Sequence, residues 1–242
     1  MIIEGKNNIT EAIASGKNID KLYVLKGYTD KSVQAIIDAA RDKNARIVFL
    51  SKEALDSLTP NKHQNVVAEV SDYEYSSVED ILAVAREKAE KVFILVLDGM
   101  EDPHNLGSVI RTAETAGVHG IIIPKVRAVG VNDTAIRVSS GAIHHVKIAR
   151  VTNVNDAIRK LKDNFINIFA ADMSGESIYG TDLNVDLAIV IGGEGLGVKP
   201  LTLKLADKAL SIPVRGKVNS LNASVAAGVA AYEVVRQRYY NE

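Results

Sequence analysis

Residues 92–99 read VFILVLDG, an unbroken apolar run that ends on Asp98 and Gly99. A strand with one solvated face alternates apolar and polar residues, whereas a strand covered on both faces does not, so this run predicts a strand in a parallel sheet sandwiched between helices. Downstream, strands are expected at 120–124, 146–151, 166–171, 187–191 and 210–213. Helices are expected at 106–116, 134–139, 155–164 and 222–239. Strands alternating with helices predict an α/β domain with a mostly parallel sheet.

Upstream the character changes. SSVEDILAVAREKAEK, residues 76–91, has the spacing of one amphipathic helix opened by Ser76 or Ser77 as N-cap. Before it lies a smaller α/β unit: helix 6–14, strand 19–25, helix 31–43 with Val33, Ile36, Ile37 and Ala40 on one face, strand 45–50, and a short helix at 52–57. A turn at His63-Gln64-Asn65 precedes the strand VVAEV. The expected organisation is therefore a first domain over 1–72, a linker helix over 73–90 and a second domain over 91–242.

Composition narrows the class. Of 242 residues, 47% are hydrophobic and 24% charged, which suits a globular chain. With no Cys there is neither a disulfide framework nor thiolate metal ligation. The charged start, MIIEGKNNITEAIASG, lacks the apolar core of a signal peptide, and no stretch approaches the ~20 apolar residues of a membrane span. The chain reads as cytoplasmic with no membrane partner. The net charge of −1, from 29 basic and 30 acidic side chains, gives no global electrostatic support for nucleic-acid binding, so local charge must supply it.

Three clusters sit where an apolar strand runs into a loop, the usual place for a site in an open α/β sheet. In the first, DGMEDPHNLGSVIRTAETAG (98–117), Asn105 and Arg111 flank a helix start. A spacing of six does not share a helical face, so Asn105 belongs to the loop, either as a functional group or as a plain N-cap. The second is AIVIGGEGLGVKP (188–200), with Gly192, Gly193, Glu194, Gly195 and Gly197. It fails as a phosphate loop because Val198 precedes Lys199 and Pro200 follows, and as a dinucleotide fingerprint because Val198 stands where the third Gly belongs. Glu194 would itself repel phosphate. The third is SIPVRGKVNSLNASVAAGVAAYEVV (211–235), in which Ser220 or Asn222 can cap the last helix and Arg215 and Lys217 form a basic pair able to touch RNA phosphates. His104, His144 and His145 show no metal-ligand spacing with a third ligand and read as structural, so no metal is expected.

Taken in order, these clusters resemble the three motifs of the SpoU/TrmH family of RNA 2′-O-ribose methyltransferases: Asn105 with Arg111, the Gly192-Gly193-Glu194-Gly195 turn, and Ile212-Pro213 followed by Ser220-Leu221-Asn222-Ala223-Ser224. The resemblance spans most of 91–242. Residues 1–72 resemble the family's ribosomal-protein-like substrate-binding domain through Glu4-Gly5-Lys6-Asn7 and His63-Gln64-Asn65-Val66-Val67-Ala68. That match points to the 23S rRNA (guanosine-2′-O-)-methyltransferase type, with a tRNA 2′-O-methyltransferase or a catalytically silent RNA-binding relative as alternatives.

The resemblance implies a trefoil-knotted α/β methyltransferase domain, S-adenosylmethionine as cofactor and a homodimer with the site near its interface. It places cofactor contacts at Gly192, Gly193, Gly195, Ile212, Pro213 and Leu221. It also places Arg111 at the centre of catalysis, with Asn105, Ser220 and Asn222 holding the substrate nucleotide or supporting Arg111, and Glu194 orienting Arg111 or a neighbouring donor. A guanidinium, which keeps its proton throughout the range in which proteins are folded, is a poor general base. The expectation is that Arg111 fixes the target phosphate and stabilises the developing alkoxide.

Overall fold

The computed structural model describes residues 1–240 apart from 29, 44, 72, 196 and 219. The chain divides into two compact units, Met1–Glu74 and Tyr75–Glu242.

In the first unit, β1 (Ile2–Glu4), α1 (Lys6–Ala14), β2 (Asn18–Leu25), α2 (Lys31–Asp42), β3 (Arg46–Leu50), α3 (Lys52–Asp56) and β4 (Val66–Ser71) follow one another. The sheet order is β1-β4-β2-β3, parallel between β2 and β3 and antiparallel elsewhere. The expected spacing in α2 holds, since Val33, Ile36, Ile37 and Ala40 are its buried residues, packed with Ile9, Leu22, Val24, Val66 and Ala68. Asp30 caps α2 through the Val33 amide at 2.8 Å and also pairs with Lys6, which with the Tyr28 hydroxyl holds its carboxyl down at about 2. The His63-Gln64-Asn65 turn is built on positive φ at Gln64 (51°) and Asn65 (69°), and His63 Nδ1 accepts from the Asn65 amide at 3.0 Å. The short strand β1 went unforeseen, because three residues carry too little periodicity to read.

The second unit runs α4 (Val78–Glu87), β5 (Phe93–Asp98), α5 (Pro103–Thr115), β6 (Gly120–Pro124), α6 (Asp133–Val138), β7 (Lys147–Val151), α7 (Val154–Asp163), β8 (Asn167–Ser177), β9 (Leu187–Gly192), α8 (Pro200–Leu205), β10 (Lys208–Ser211) and α9 (Ala223–Tyr239). Six strands in the order β10-β8-β9-β5-β6-β7 form one sheet, every pair parallel. Every residue of β5 is buried, as its unbroken apolar run requires. Ile94, Val96, Ile122, Ile168, Ala188 and Val190 pack with Ile81, Leu82, Ile158 and Leu161 of α4 and α7. Residues of opposite parity, Leu95, Leu97, Ile121, Ile123, Ile189 and Ile191, are buried too, and α5 and α9 lie against β6, β9 and each other. Residues 78–87, inside the stretch expected as a linker helix, thus bury an apolar face in this core, and Ser77 and Asp80 close a capping box at their start.

Three boundaries differ from expectation, each for a local reason. Helix α5 starts at Pro103 rather than residue 106: Asp102 caps it through the His104 amide at 3.0 Å, and Pro103 fills the first position, where its fixed φ suits a helix and its missing N–H costs nothing. The same effect of Pro200 starts the unforeseen α8. The strand expected at 210–213 is Lys208–Ser211, so Ile212 and Pro213 lie in the following loop. Strand β8 continues well past residue 171, its register with β10 shifting between Ala209 and Leu210.

Candidate active site

In a parallel sheet all C-terminal strand ends share one edge. Here the ends of β9 and β10, the middle of β8 at residues 171–173 and the start of α9 enclose a cleft of about 600 Å³, within the ~300–1,000 Å³ typical of small-molecule sites. Its walls include Ile191, Leu210, Ile212, Leu221 and Ala226, together with the backbone of Gly192, Gly193, Gly195 and Gly197.

Backbone crowding explains the glycines. A Cβ on Gly192 would lie 2.0 Å from the Gly197 carbonyl carbon, and one on Gly193 would lie 2.3 Å from the Gly99 oxygen. The loop after β9 is therefore pressed against its own return and against the end of β5, where no side chain fits. Asp98, at that end of β5, is buried; it pairs with Lys199, and its Oδ2 accepts from the Lys199 amide at 3.3 Å and the Thr202 hydroxyl at 2.8 Å. Both ends of the glycine loop are thus fixed from β5.

A polar relay crosses the cleft mouth. Asn222 caps α9, its Oδ1 accepting from the amides of Ser224 at 2.9 Å and Val225 at 3.3 Å. Its Nδ2 donates to Asn105 Oδ1 at 3.1 Å, and Asn105 Nδ2 donates to Glu194 Oε1. Asn105 does this from the first turn of α5, where it is buried, and not from a loop as its spacing to Arg111 had suggested. Asn222 thus caps α9 and lines the cleft at once.

Of the expected site residues, Gly192, Gly193, Glu194, Gly195, Ile212, Ser220, Leu221 and Asn222 line the cleft, and Asn105 joins it through the relay. Pro213 is not among the lining residues, although Ile212 and Val214 on either side of it are; Arg215 and Lys217 are exposed on the same loop. Arg111 stands apart. Six residues along α5 from Asn105, it is exposed, and its Nη1 donates to Ser140 Oγ at 3.4 Å. Glu194 thus engages a neighbouring donor, Asn105, which is one of the two arrangements expected for it, and Asn105 and Asn222 bond to each other rather than to Arg111. Asp172 and Met173, on the continuation of β8, were missed; the signal was there, since Asp172 follows the apolar end of a strand as Asp98 does. The exposed His104, His144 and His145 stay outside the cleft, and among the described residues no group of three or more His, Cys, Asp or Glu could hold a metal ion.

The family model described as SpoU rRNA Methylase family matches residues 92–232. The chain belongs to the SpoU family. A second model, for RNA 2′-O ribose methyltransferase substrate binding, matches residues 2–76. By family, then, this is an RNA 2′-O-methyltransferase with an N-terminal substrate-binding unit. A Bacillus subtilis protein assigned by name to the TrmH family of tRNA/rRNA methyltransferases, YacO, is 42% identical over 235 residues, covering 97% of this chain and 94% of its own. The SpoU methyltransferase AviRb from Streptomyces viridochromogenes, crystallised with AdoMet, shares the fold at a TM-score of 0.64 and 24% identity, covering 100% of this chain and 91% of that one. An A. aeolicus TrmH/SpoU tRNA modifying enzyme aligns at a TM-score of 0.57 and 28% identity over 62% of this chain and 76% of its own. Among the described residues no helix is long and apolar enough to cross a membrane.

Proposed function

We propose that this SpoU-family chain methylates the ribose 2′-hydroxyl of a guanosine in 23S rRNA, using S-adenosylmethionine held in the cleft. The observation that carries this reading is the cleft's charge: Asp172 and Glu194 are the charged side chains in its wall, with no Lys, Arg or His among the lining residues. Apolar walls suit an adenine, open glycine backbone suits close approach, and two carboxylates suit a cationic ligand while opposing a triphosphate. S-adenosylmethionine supplies an activated methyl group when bound.

The protein's own residues hold and align. Gly192, Gly193, Gly195, Ile212 and Leu221 cradle the cofactor, and Pro213 turns the loop behind them. The relay of Asn222, Asn105 and Glu194, with Ser220, positions the target nucleotide. Arg111 grips the adjoining phosphate and stabilises charge on the 2′-oxygen as its proton leaves, while Arg215 and Lys217 touch neighbouring phosphates. Exposed Val225, Tyr232 and Tyr239 on α9 support a homodimer. The reading includes the knotted path implied by the family motifs, a cytoplasmic setting, and rRNA over tRNA, the last supported by the N-terminal motifs Glu4–Asn7 and His63–Ala68. Methyl transfer to purified 23S rRNA and bulk tRNA, run in parallel, tests it: 23S rRNA should accept the label, and acceptance by tRNA alone would overturn the substrate assignment.

A further inference from the structure

Strand β8 pairs with β9 as far as Ala170, then leaves the sheet centre and continues beside β10 to Ser177. Asp172 lies at that departure, with Ala171 and Met173 in the cleft wall. Its Oδ1 accepts from the Ser174 amide at 2.9 Å and the Ser174 hydroxyl at 2.6 Å, which fixes the carboxylate and holds its pKa below the usual range. It is therefore anionic at neutral pH. Glu194, the other acid of the wall, is engaged by Asn105. No cationic side chain among the lining residues offsets either of them.

We propose that Asp172 makes the cleft read the charge of the methyl donor, holding the cationic sulfonium more tightly than the neutral thioether left after transfer. The inference rests on the reading of the cleft above and adds a role for a residue outside the three motifs. When the methyl group passes to the ribose oxygen, the carbon–sulfur bonding pair stays on sulfur and its positive charge is lost. The ribose hydroxyl proton goes to solvent or the neighbouring phosphate. A cleft with uncompensated carboxylates loses attraction at that moment, so the spent donor is released and a fresh one is favoured. A carboxylate several ångströms from a cation in a partly desolvated site changes affinity by about tenfold.

The test is calorimetric binding of three ligands to the full chain without RNA: S-adenosylmethionine, its neutral thioether product S-adenosylhomocysteine, and sinefungin, which carries an amine in place of the sulfonium. The wild-type protein should bind both cationic ligands more tightly than the thioether. In Asp172→Asn that preference should shrink by about tenfold, with thioether affinity nearly unchanged. Ser174→Ala, which disturbs the turn but keeps the charge, should retain the preference. An unchanged preference in Asp172→Asn, or a parallel loss for all three ligands, would overturn the proposal and assign Asp172 to groups the ligands share. Loss of preference in Ser174→Ala equal to that in Asp172→Asn would also overturn it. Failure of the wild-type protein to bind any of the three would instead remove the cofactor reading itself.

Discussion

Asn105, in the first turn of α5, donates its side-chain amide to the Glu194 carboxylate across 89 positions of sequence. With the Asn222 amide on its other side, Asn105 is held at both ends, which fixes its amide orientation and joins the three sequence clusters into one structure. Because Glu194 is exposed, the bond is worth on the order of 1–2 kcal/mol, not the larger value of a buried charged pair.

The relay predicts coupling. Asn105→Ala and Glu194→Gln should each lower methyl transfer by roughly tenfold or more, and the double variant should be little worse than the poorer single one. A double-mutant cycle on kcat/KM reads this directly, and additive losses would show that the two residues act separately.

Glycine substitutions should separate crowding from conformation. Gly193→Ala forces a Cβ against the Gly99 oxygen, an overpacking cost of about 3 kcal/mol that should lower the melting temperature of the second unit by roughly 6–12 °C. At Gly195, where φ is +80° and nothing lies within 4 Å of an added methyl, alanine should cost only about 1 kcal/mol. Thermal unfolding of the two variants side by side checks the order.

A buried histidine outside the site should govern acid stability. His119 Nδ1 accepts from the Phe93 amide at 3.0 Å, which leaves the proton on Nε2, 3.0 Å from Glu90. Burial lowers its pKa despite Glu90, so the folded protein resists protonation of His119 while the unfolded chain accepts it at about 6.5. Stability from this group is complete above about pH 6.5 and falls as pH drops toward the lower folded value. His119→Gln should flatten the melting temperature between pH 6.5 and 5; an unchanged slope would contradict the assignment.

Arg111 should matter for the transfer step and little for the cofactor. Being outside the cleft wall, Arg111→Ala should leave S-adenosylmethionine affinity within about twofold while lowering kcat by about a hundredfold or more. Arg111→Lys keeps the charge but loses the bidentate fork, so it should fall between. Near-full activity of the alanine variant would remove Arg111 from catalysis.

Much of this architecture was legible in the residues. The unbroken run of β5 predicted its burial, and the apolar stripe of α2 predicted its core face, because hydrophobic patterning is local. The openings of α5 at Pro103 and of α8 at Pro200 were not read, since a proline fits the first helical position without adding to the apolar spacing that marks a helix. Sequence spacing placed Asn105 in a loop because it knew nothing of Asp102 as the cap. Asp172 carried a local signal, following the apolar end of a strand as Asp98 does, but its place in the cleft arises only when β8 continues beside β10, a relationship between strands distant in sequence. The glycine-rich turn stood out in the sequence; that backbone at Gly99 would press against it did not.

The most direct test of the central claim is the chemical position of the transferred methyl group. After incubation with labelled S-adenosylmethionine, 23S rRNA is digested with alkali, which cleaves only where a free 2′-hydroxyl can attack the neighbouring phosphate. Label recovered in alkali-resistant dinucleotides whose 5′ member is guanosine is the predicted result. Label in ordinary mononucleotides would mean methylation of a base and would contradict the account.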